Sequence, residues 1–315
     1  MLKLRIKIPG RALVCASYAE TDGEEANVVL RGFSGTPRKF VKSGLLSEGE
    51  FWQDFANQNF ESKKEFSTTE YSAMVEKAIA SISSQQLGKV VLSRSSFHKS
   101  PSISAEQTFN ALLEAYEDCT VFALSHPELG DWMGATPEIL LEQTSDGYRS
   151  MSLAGTRLKG GSTWGDKEKE EQKFVTKEIH KTLKDFEGKV KRSTTETLSA
   201  GPVEHLLTWV SLTESNDSPS EILESLHPTP AVCGTPTDKA AKLINELEPH
   251  DRELYTGYLA LMDEKVHASV LLRTMKWYNN GVQFYAGGGI TKDSVPLNEW
   301  METEYKISAL KDLLC

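Results

Sequence analysis

Asn280-Gly281 lies between two runs rich in Val, Tyr, Phe and Trp, and three consecutive glycines follow within the same stretch, Val270 to Lys306 (VLLRTMKWYNNGVQFYAGGGITKDSVPLNEWMETEYK). Asn-Gly tolerates the positive φ angles of a tight turn, so the two runs read as a hairpin, with Arg273 on the strand leading into it. Gly287, Gly288 and Gly289 leave backbone without side chains, where a ligand or another side chain can come close. A helix is expected after Pro296, and its Glu299, Glu302 and Lys306 fall at spacings that put them near one face. By itself that face is an ordinary solvated surface with a Glu-to-Lys pair. Beside a bare loop and an arginine, it can hold a divalent cation and a small anion together.

With 315 residues the chain can bury a large core. Its formal charge of -10 argues against a nucleic-acid partner, because phosphate backbones select basic surfaces, but leaves room for a small anionic substrate. Cys15, Cys119, Cys233 and Cys315 are far apart and form no CxxC, which suits a reducing cytoplasm. No apolar run approaches ~18 residues and no signal peptide is visible, so no membrane span is expected.

Residues 1–60 alternate short β-like pieces with Gly, Asp and Pro turns. Ser67 and Glu70 form a capping box ahead of apolar residues at helical spacing, and Lys89 to Arg94 then reads as a strand. A second amphipathic helix spans 105–118, and Glu138 follows Thr136-Pro137 at the entrance of another strand. Ser152 to Arg157 (SLAGTR) reads as a glycine loop, and Asp166 to Leu183 as a charged helix carrying Glu168 and Glu171. Two helices thus carry the same acidic spacing, and converging across a cleft they would form an oxygen cage for Mg²⁺. Further on, a β segment is expected over Lys189 to Leu198, a helix near Pro202 to Val210, a rigid proline-rich loop over Leu226 to Pro236, and a helix over Asp238 to Glu246. No regular βαβ beat and no internal repeat is present. The expected architecture is α+β: antiparallel β-sheets packed face to face with helices on the outside, forming a single domain over 1–315.

GKVVLSR, GATPEILLE, LHPTPAVCGTP and the closing AGGGI with its E-x-x-E-x-x-x-K helix together resemble the chorismate-utilising enzymes. That family includes isochorismate synthase, salicylate synthase, anthranilate synthase component I and aminodeoxychorismate synthase component I. The resemblance covers roughly residues 70–310, with an N-terminal sheet region that looks short beside many relatives. It implies a chorismate site in which Glu171 and Glu302 bind Mg²⁺ directly and Glu168 and Glu299 help through water. Arg273, Tyr255 and the Gly287 backbone would bind the enolpyruvyl carboxylate, with Lys306 adding positive charge. His227 would line the metal side of the pocket, and Leu153, Ala154, Gly155, Thr156, Ala231, Ala286 and Gly288 are further implied substrate contacts. One departure is that Gln172 follows Glu171 where the family often has histidine.

Within that family, anthranilate synthase usually carries glutamine where this chain has Lys89, and aminodeoxychorismate synthase a nucleophilic lysine where it has Ala154. Lys89 and Glu138 instead resemble the base and acid of the water-adding members, and Leu153 and Ala231 are similar to what isochorismate synthases show. Salicylate synthase shares the lysine and glutamate but tends to carry threonine at the Ala231 position, and it stays as the alternative. The resemblance therefore implies a Mg²⁺-dependent isomerisation of chorismate by a monomer without an amidotransferase subunit, feeding menaquinone or a siderophore. For that chemistry Lys89 must be a free amine and Glu138 protonated, so their surroundings must push in opposite senses.

Overall fold

The structure is a computed structural model that describes residues 1–60, 65–85, 87–161, 163–200 and 203–315. The first strands are β1 (Leu2–Lys7), β2 (Val14–Thr21), β3 (Val28–Arg31) and β4 (Arg38–Leu45), followed by helices α1 (Glu48–Trp52) and α2 (Thr68–Gln85). The middle of the chain holds β5 (Lys89–Lys99), α3 (Ala105–Ala115), β6 (Thr120–His126), β7 (Gly130–Thr136), β8 (Ile139–Gln143), β9 (Gly147–Leu158) and α4 (Asp166–Leu183). Then come β10 (Lys189–Arg192), β11 (Glu196–Ala200), β12 (Val203–Thr213), α5 (Pro219–Leu226), β13 (Gly234–Thr235) and α6 (Thr237–Leu247). Last are β14 (Tyr258–Leu261), β15 (His267–Val270), β16 (Thr274–Tyr278), β17 (Gly281–Ile290) and α7 (Pro296–Lys311).

Every strand pairing is antiparallel, and the pairings form one continuous path. It runs β13, β5, β17, β16, β7, β6, β1, β2, β4. It continues through β3, β14, β15, β8, β9 and β12, whose far edge takes both β10 and β11. The path folds back on itself, as side-chain alternation shows. Phe122, Leu124, Trp132 and Tyr285 from its first half meet Leu30, Leu259 and Leu261 from its second half in one core. Their neighbours Val121, Ala123, Met133 and Phe284 point the other way, under α1, α3 and α7. Tyr258 and Ala260 likewise turn outward beneath α4 and α5. Period-two strands can feed two cores only in this way, and the result is two sheets face to face with helices outside. No helix among the described residues is long and apolar enough to cross a membrane.

The Ser67 capping box forms, with the Ser67 amide donating to Glu70 Oε2 at 3.0 Å and the Glu70 amide to Ser67 Oγ at 3.2 Å. Three local expectations are corrected. The helix expected near Pro202 to Val210 is strand β12, because β9 pairs one edge and β10 and β11 the other. Leu206 and Leu207 are adjacent and both buried, which imitates helical spacing in the sequence, and the register against β9 shifts between His205 and Leu206. The glycine loop expected at Ser152 to Arg157 lies within β9, where Gly155 at φ +72° is the extra residue opposite that shift. In the closing hairpin Tyr278 pairs with Gly281, so Asn279 and Asn280 form the tip. Gly281 is required one step later, where a Cβ would sit 2.2 Å from His98 O.

Candidate active site

The floor of the site is the pair β5 and β17, in which Gly287, Gly288 and Gly289 lie against Ser93, Leu92 and Val91. Each glycine marks a close approach. A Cβ on Gly289 would stand 2.3 Å from Glu171 Oε1 and 2.8 Å from Lys89 Cε. One on Gly288 would stand 3.2 Å from Glu299 Oε2 and 3.7 Å from Glu302 Oε1, and one on Gly287 would be 3.2 Å from the Tyr255 hydroxyl. Carboxylates from both α4 and α7 therefore gather over the same bare backbone.

Helix α7 is held rigidly above that floor. Arg94 on β5 donates from Nε to Thr303 Oγ1 at 2.7 Å, pairs with Glu304, and lies 3.9 Å from the Trp300 ring. Glu299 is buried; its Oε1 accepts from Lys167 Nζ at 2.6 Å, while Oε2 has no hydrogen-bond partner. Burial and the neighbouring Glu302 push the Glu299 carboxyl upward. Burial also acts on Glu302, but Lys306, Lys167 and Lys89 outweigh it and hold that carboxyl below its ordinary range. Lys306 Nζ donates to Glu302 Oε1 and to Gly287 O, each at 2.7 Å.

On α4, Glu171 Oε1 is 2.8 Å from Lys89 Nζ. Glu168 is half-buried and turned back toward the start of its own helix, since a Cβ on Gly165 would meet its Oε2 at 2.5 Å. Gln172 faces away from the cleft into the sheet, donating from Nε2 to Ser152 O at 2.9 Å. Among the described residues no three carboxylates, imidazoles or thiols are drawn together as a finished metal site. Glu171, Glu299 and Glu302 are each paired with a lysine instead. The donor set still suits a hard divalent cation, because oxygens of all three overhang Gly288 and Gly289 and the buried Glu299 Oε2 lacks a partner.

The cavity over this floor is lined by Glu138, Leu153, Ala154, Gly155, Thr156, Glu171, Ala231, Tyr255, Arg273, Ala286, Gly287, Glu302 and Lys306, all of them expected from the sequence. Glu138 is 2% exposed and its Oε1 has no partner. Burial raises its pKa to about 8, against the opposing pull of Lys89 and Lys306. Lys89 is fully buried and does not itself line the cavity, because its ammonium is turned onto Glu171, which does. Gly288 lies under the α7 carboxylates, and Glu168 and Glu299 also stay outside the lining.

His227, expected on the metal side, is a correction. Its Nε2 is 3.1 Å from Gly32 O and 3.3 Å from Phe33 O, both acceptors, so the ring spends that N–H on backbone and stays out of the cavity. Burial, with help from Arg31, lowers its pKa to about 4.

Arg273 sits in the connection between β15 and β16 at φ +47°, a left-handed conformation that a non-glycine residue rarely holds without cause. Its buried Nη1 has no partner, and Nη2 lies 3.3 Å from His205 Nε2. His205 also lines the cavity and was not anticipated. Its Nδ1 is 3.1 Å from Gly155 O, an acceptor, so the proton sits on Nδ1 and Nε2 offers its lone pair to the arginine. Burial and Arg273 lower the His205 pKa to about 3, keeping the ring neutral. A neutral imidazole thus aims a guanidinium whose other arm is free for an anion.

The model of the family described as chorismate binding enzyme matches residues 42–315. The isochorismate synthase EntC of Escherichia coli K12 is 30% identical over 258 residues, 77% of this chain, which spans 66% of that protein's length. The menaquinone-specific isochorismate synthase MenF of Escherichia coli shares the fold with a TM-score of 0.81 at 23% identity, covering 100% of this chain and 89% of that one. Anthranilate synthase component I of Streptococcus pneumoniae aligns with a TM-score of 0.72 at 16% identity, covering 98% and 91%.

Proposed function

This chain belongs to the chorismate-binding enzyme family, and from that premise we propose that it is a Mg²⁺-dependent isochorismate synthase. The observation that carries this reading is Glu138: a buried carboxyl with a pKa near 8 and an unpartnered oxygen, in the same cavity as a free guanidinium arm. A carboxylic acid kept protonated at neutral pH is what expulsion of a hydroxyl requires. Glu138 gives its proton to the C4 hydroxyl of chorismate, which leaves as water. A second water adds at C2, its proton passing to Lys89 once that side chain has given up Glu171 and stands as the free amine, and the ring double bonds shift between the two carbons. One water enters and one leaves, so the reaction is reversible.

Arg273 Nη1 and the Tyr255 hydroxyl bind the enolpyruvyl carboxylate, and Lys306 adds charge over Gly287 O. Leu153, Ala154 and Ala231 put small apolar groups beside the ring, where an amine nucleophile has no foothold. Glu171 and Glu302 would hold Mg²⁺, with Glu299 assisting and Glu168, expected beside it, turned to its own helix end; bound there, the ion would neutralise the ring carboxylate and fix its orientation. The chain acts as one chorismate-binding domain and as a cytoplasmic monomer without an amidotransferase, and menaquinone synthesis is the favoured destination of its product over a siderophore. The isochorismate synthases EntC and MenF among its relatives support the reading.

Incubating the purified protein with chorismate, with and without Mg²⁺, and separating products by chromatography tests it. Isochorismate formed only with Mg²⁺ is expected. Salicylate and pyruvate would favour salicylate synthase, anthranilate on adding ammonia would favour an aminating enzyme, and unchanged chorismate would leave a binding protein without the reaction.

A further inference from the structure

Three lysines meet the site's carboxylates, and they are not equivalent. Lys89 reaches Glu171 from the floor, and Lys306 reaches Glu302 within α7. Lys167 is different, because its bond to Glu299 is the one side-chain ion pair joining α4 to α7 among the described residues. It stands in the first turn of α4, where the positive end of the helix dipole disfavours a cation, and the N-cap Gly165 makes no side-chain cap bond. Something must offset that placement. The carboxylates acting on its ammonium are Glu299, Glu302 and Glu171, the same set that overhangs the glycine floor. It is also the most exposed of the three lysines, at 28% against 22% for Lys306 and 0% for Lys89, so it has a route out.

We propose that Lys167 is a built-in placeholder cation: it neutralises the carboxylates and clasps α4 to α7 in the metal-free protein, and it must leave Glu299 before a divalent cation can settle. This rests on the metal reading above. Removing the ammonium has two opposite consequences. The metal-free form loses the ion pair that joins the two helices and is destabilised, while an incoming Mg²⁺ no longer competes with the lysine for Glu299 and binds more tightly.

The test is calorimetric titration of MgCl₂, without substrate, into wild type, Lys167→Met, Lys167→Arg and Glu302→Gln, with thermal unfolding of each protein measured with and without Mg²⁺. Lys167→Met is expected to lower the Mg²⁺ Kd about tenfold or more, to lower the metal-free Tm, and to show a larger gain in Tm on adding Mg²⁺. Lys167→Arg keeps the charge and is expected to stay near wild type. An equal or weaker Kd in a folded Lys167→Met overturns the placeholder role, as does a Kd in Lys167→Arg that moves as far as in Lys167→Met. The metal reading itself fails separately, if Glu302→Gln binds Mg²⁺ as wild type does or if no protein in the series binds it.

Discussion

Helices α4 and α7 carry the same E-x-x-E spacing and do not do the same thing with it. On α7 burial begins with the first glutamate, since Glu299, Thr303, Ile307 and Leu310 form its inward stripe. On α4 it begins after the second, with Gln172, Val175, Thr176, Ile179 and Leu183. One helix therefore presses both carboxylates over the glycine floor, while the other offers Glu171 and leaves Glu168 half in solvent. Spacing decides which face a side chain occupies, and packing decides how strongly it is held there. Arg94 locks α7 to β5, and no equivalent bond holds the first turn of α4 to the sheet among the described residues.

The largest expected effect comes from the floor beneath each helix. Gly289→Ala places a methyl 2.3 Å from Glu171 Oε1 and 2.8 Å from Lys89 Cε, displacing both partners of a buried ion pair. A misplacement of ~1 Å in such groups costs about 10²-fold in turnover, and that loss is expected with the fold retained by circular dichroism. Gly288→Ala meets only carboxylate ends, at 3.2 Å and 3.7 Å, and is expected to cost less than a tenth as much. Equal kcat losses would mean that the two helices rest on the floor alike.

Next is the glutamate pair itself. Glu299→Gln removes a charge whose Oε2 is buried without a partner, and Mg²⁺ affinity is expected to fall about 10- to 100-fold. Glu168→Gln alters a half-exposed group directed at Gly165, and less than a threefold change is expected. Calorimetric Kd values for the two variants decide the matter, and a larger loss from Glu168→Gln would reverse the asymmetry.

The carboxylate spacing, Lys306 and the glycine floor were legible in the sequence because each is local: residues three or four apart on a helix share a face wherever that helix packs. Lys89 and Glu138 were legible through resemblance, but the turn of Lys89 onto Glu171 depends on α4, a helix distant in sequence, and leaves no trace in GKVVLSR. His205 was missed for the same reason. Its partners Gly155 and Arg273 are 50 and 68 residues distant, and the adjacent buried Leu206 and Leu207 made its own strand look helical. Lys167 sits in the run DKEKEEQK, which reads as a solvated face until α7 is laid beside it.

Glu138 extends the comparison to a third carboxyl in the same cavity, one with no lysine bonded to it. An acid whose pKa rises on folding, here from 4.5 to about 8, costs the fold nothing below the lower value. Between the two values the folded form holds a proton the unfolded form has lost, so stability falls by ~1.4 kcal/mol per pH unit as pH rises. Glu138→Gln is expected to remove that slope, and unfolding free energies measured in denaturant across this window would expose it as the difference from wild type. Turnover of wild type is expected to fall as pH rises through about 8, where the acid is lost. A variant with the wild-type slope would show that Glu138 is ionised throughout.

The smallest effect probes the loose end of α4 directly. Gly165 is the N-cap at φ -72°, a conformation open to any residue, and it lacks a side-chain cap bond. Because Glu168 stands at N3, Gly165→Ser completes a capping box once the Glu168 carboxylate swings off the 2.5 Å approach it would make to the new Cβ, the hydroxyl then accepting from the Glu168 amide and the carboxylate from the N-cap amide. Replacing a glycine cap gains only about a few tenths of a kcal/mol, so a rise in Tm of about a degree is expected. The informative quantity is Mg²⁺ affinity, since the box commits Glu168 to its own helix end and away from the cleft. If α4 contributes through Glu171 alone, Kd stays within about twofold. A tenfold weakening would place Glu168 at the cation after all, and α4 would then match α7 in use as well as in spacing.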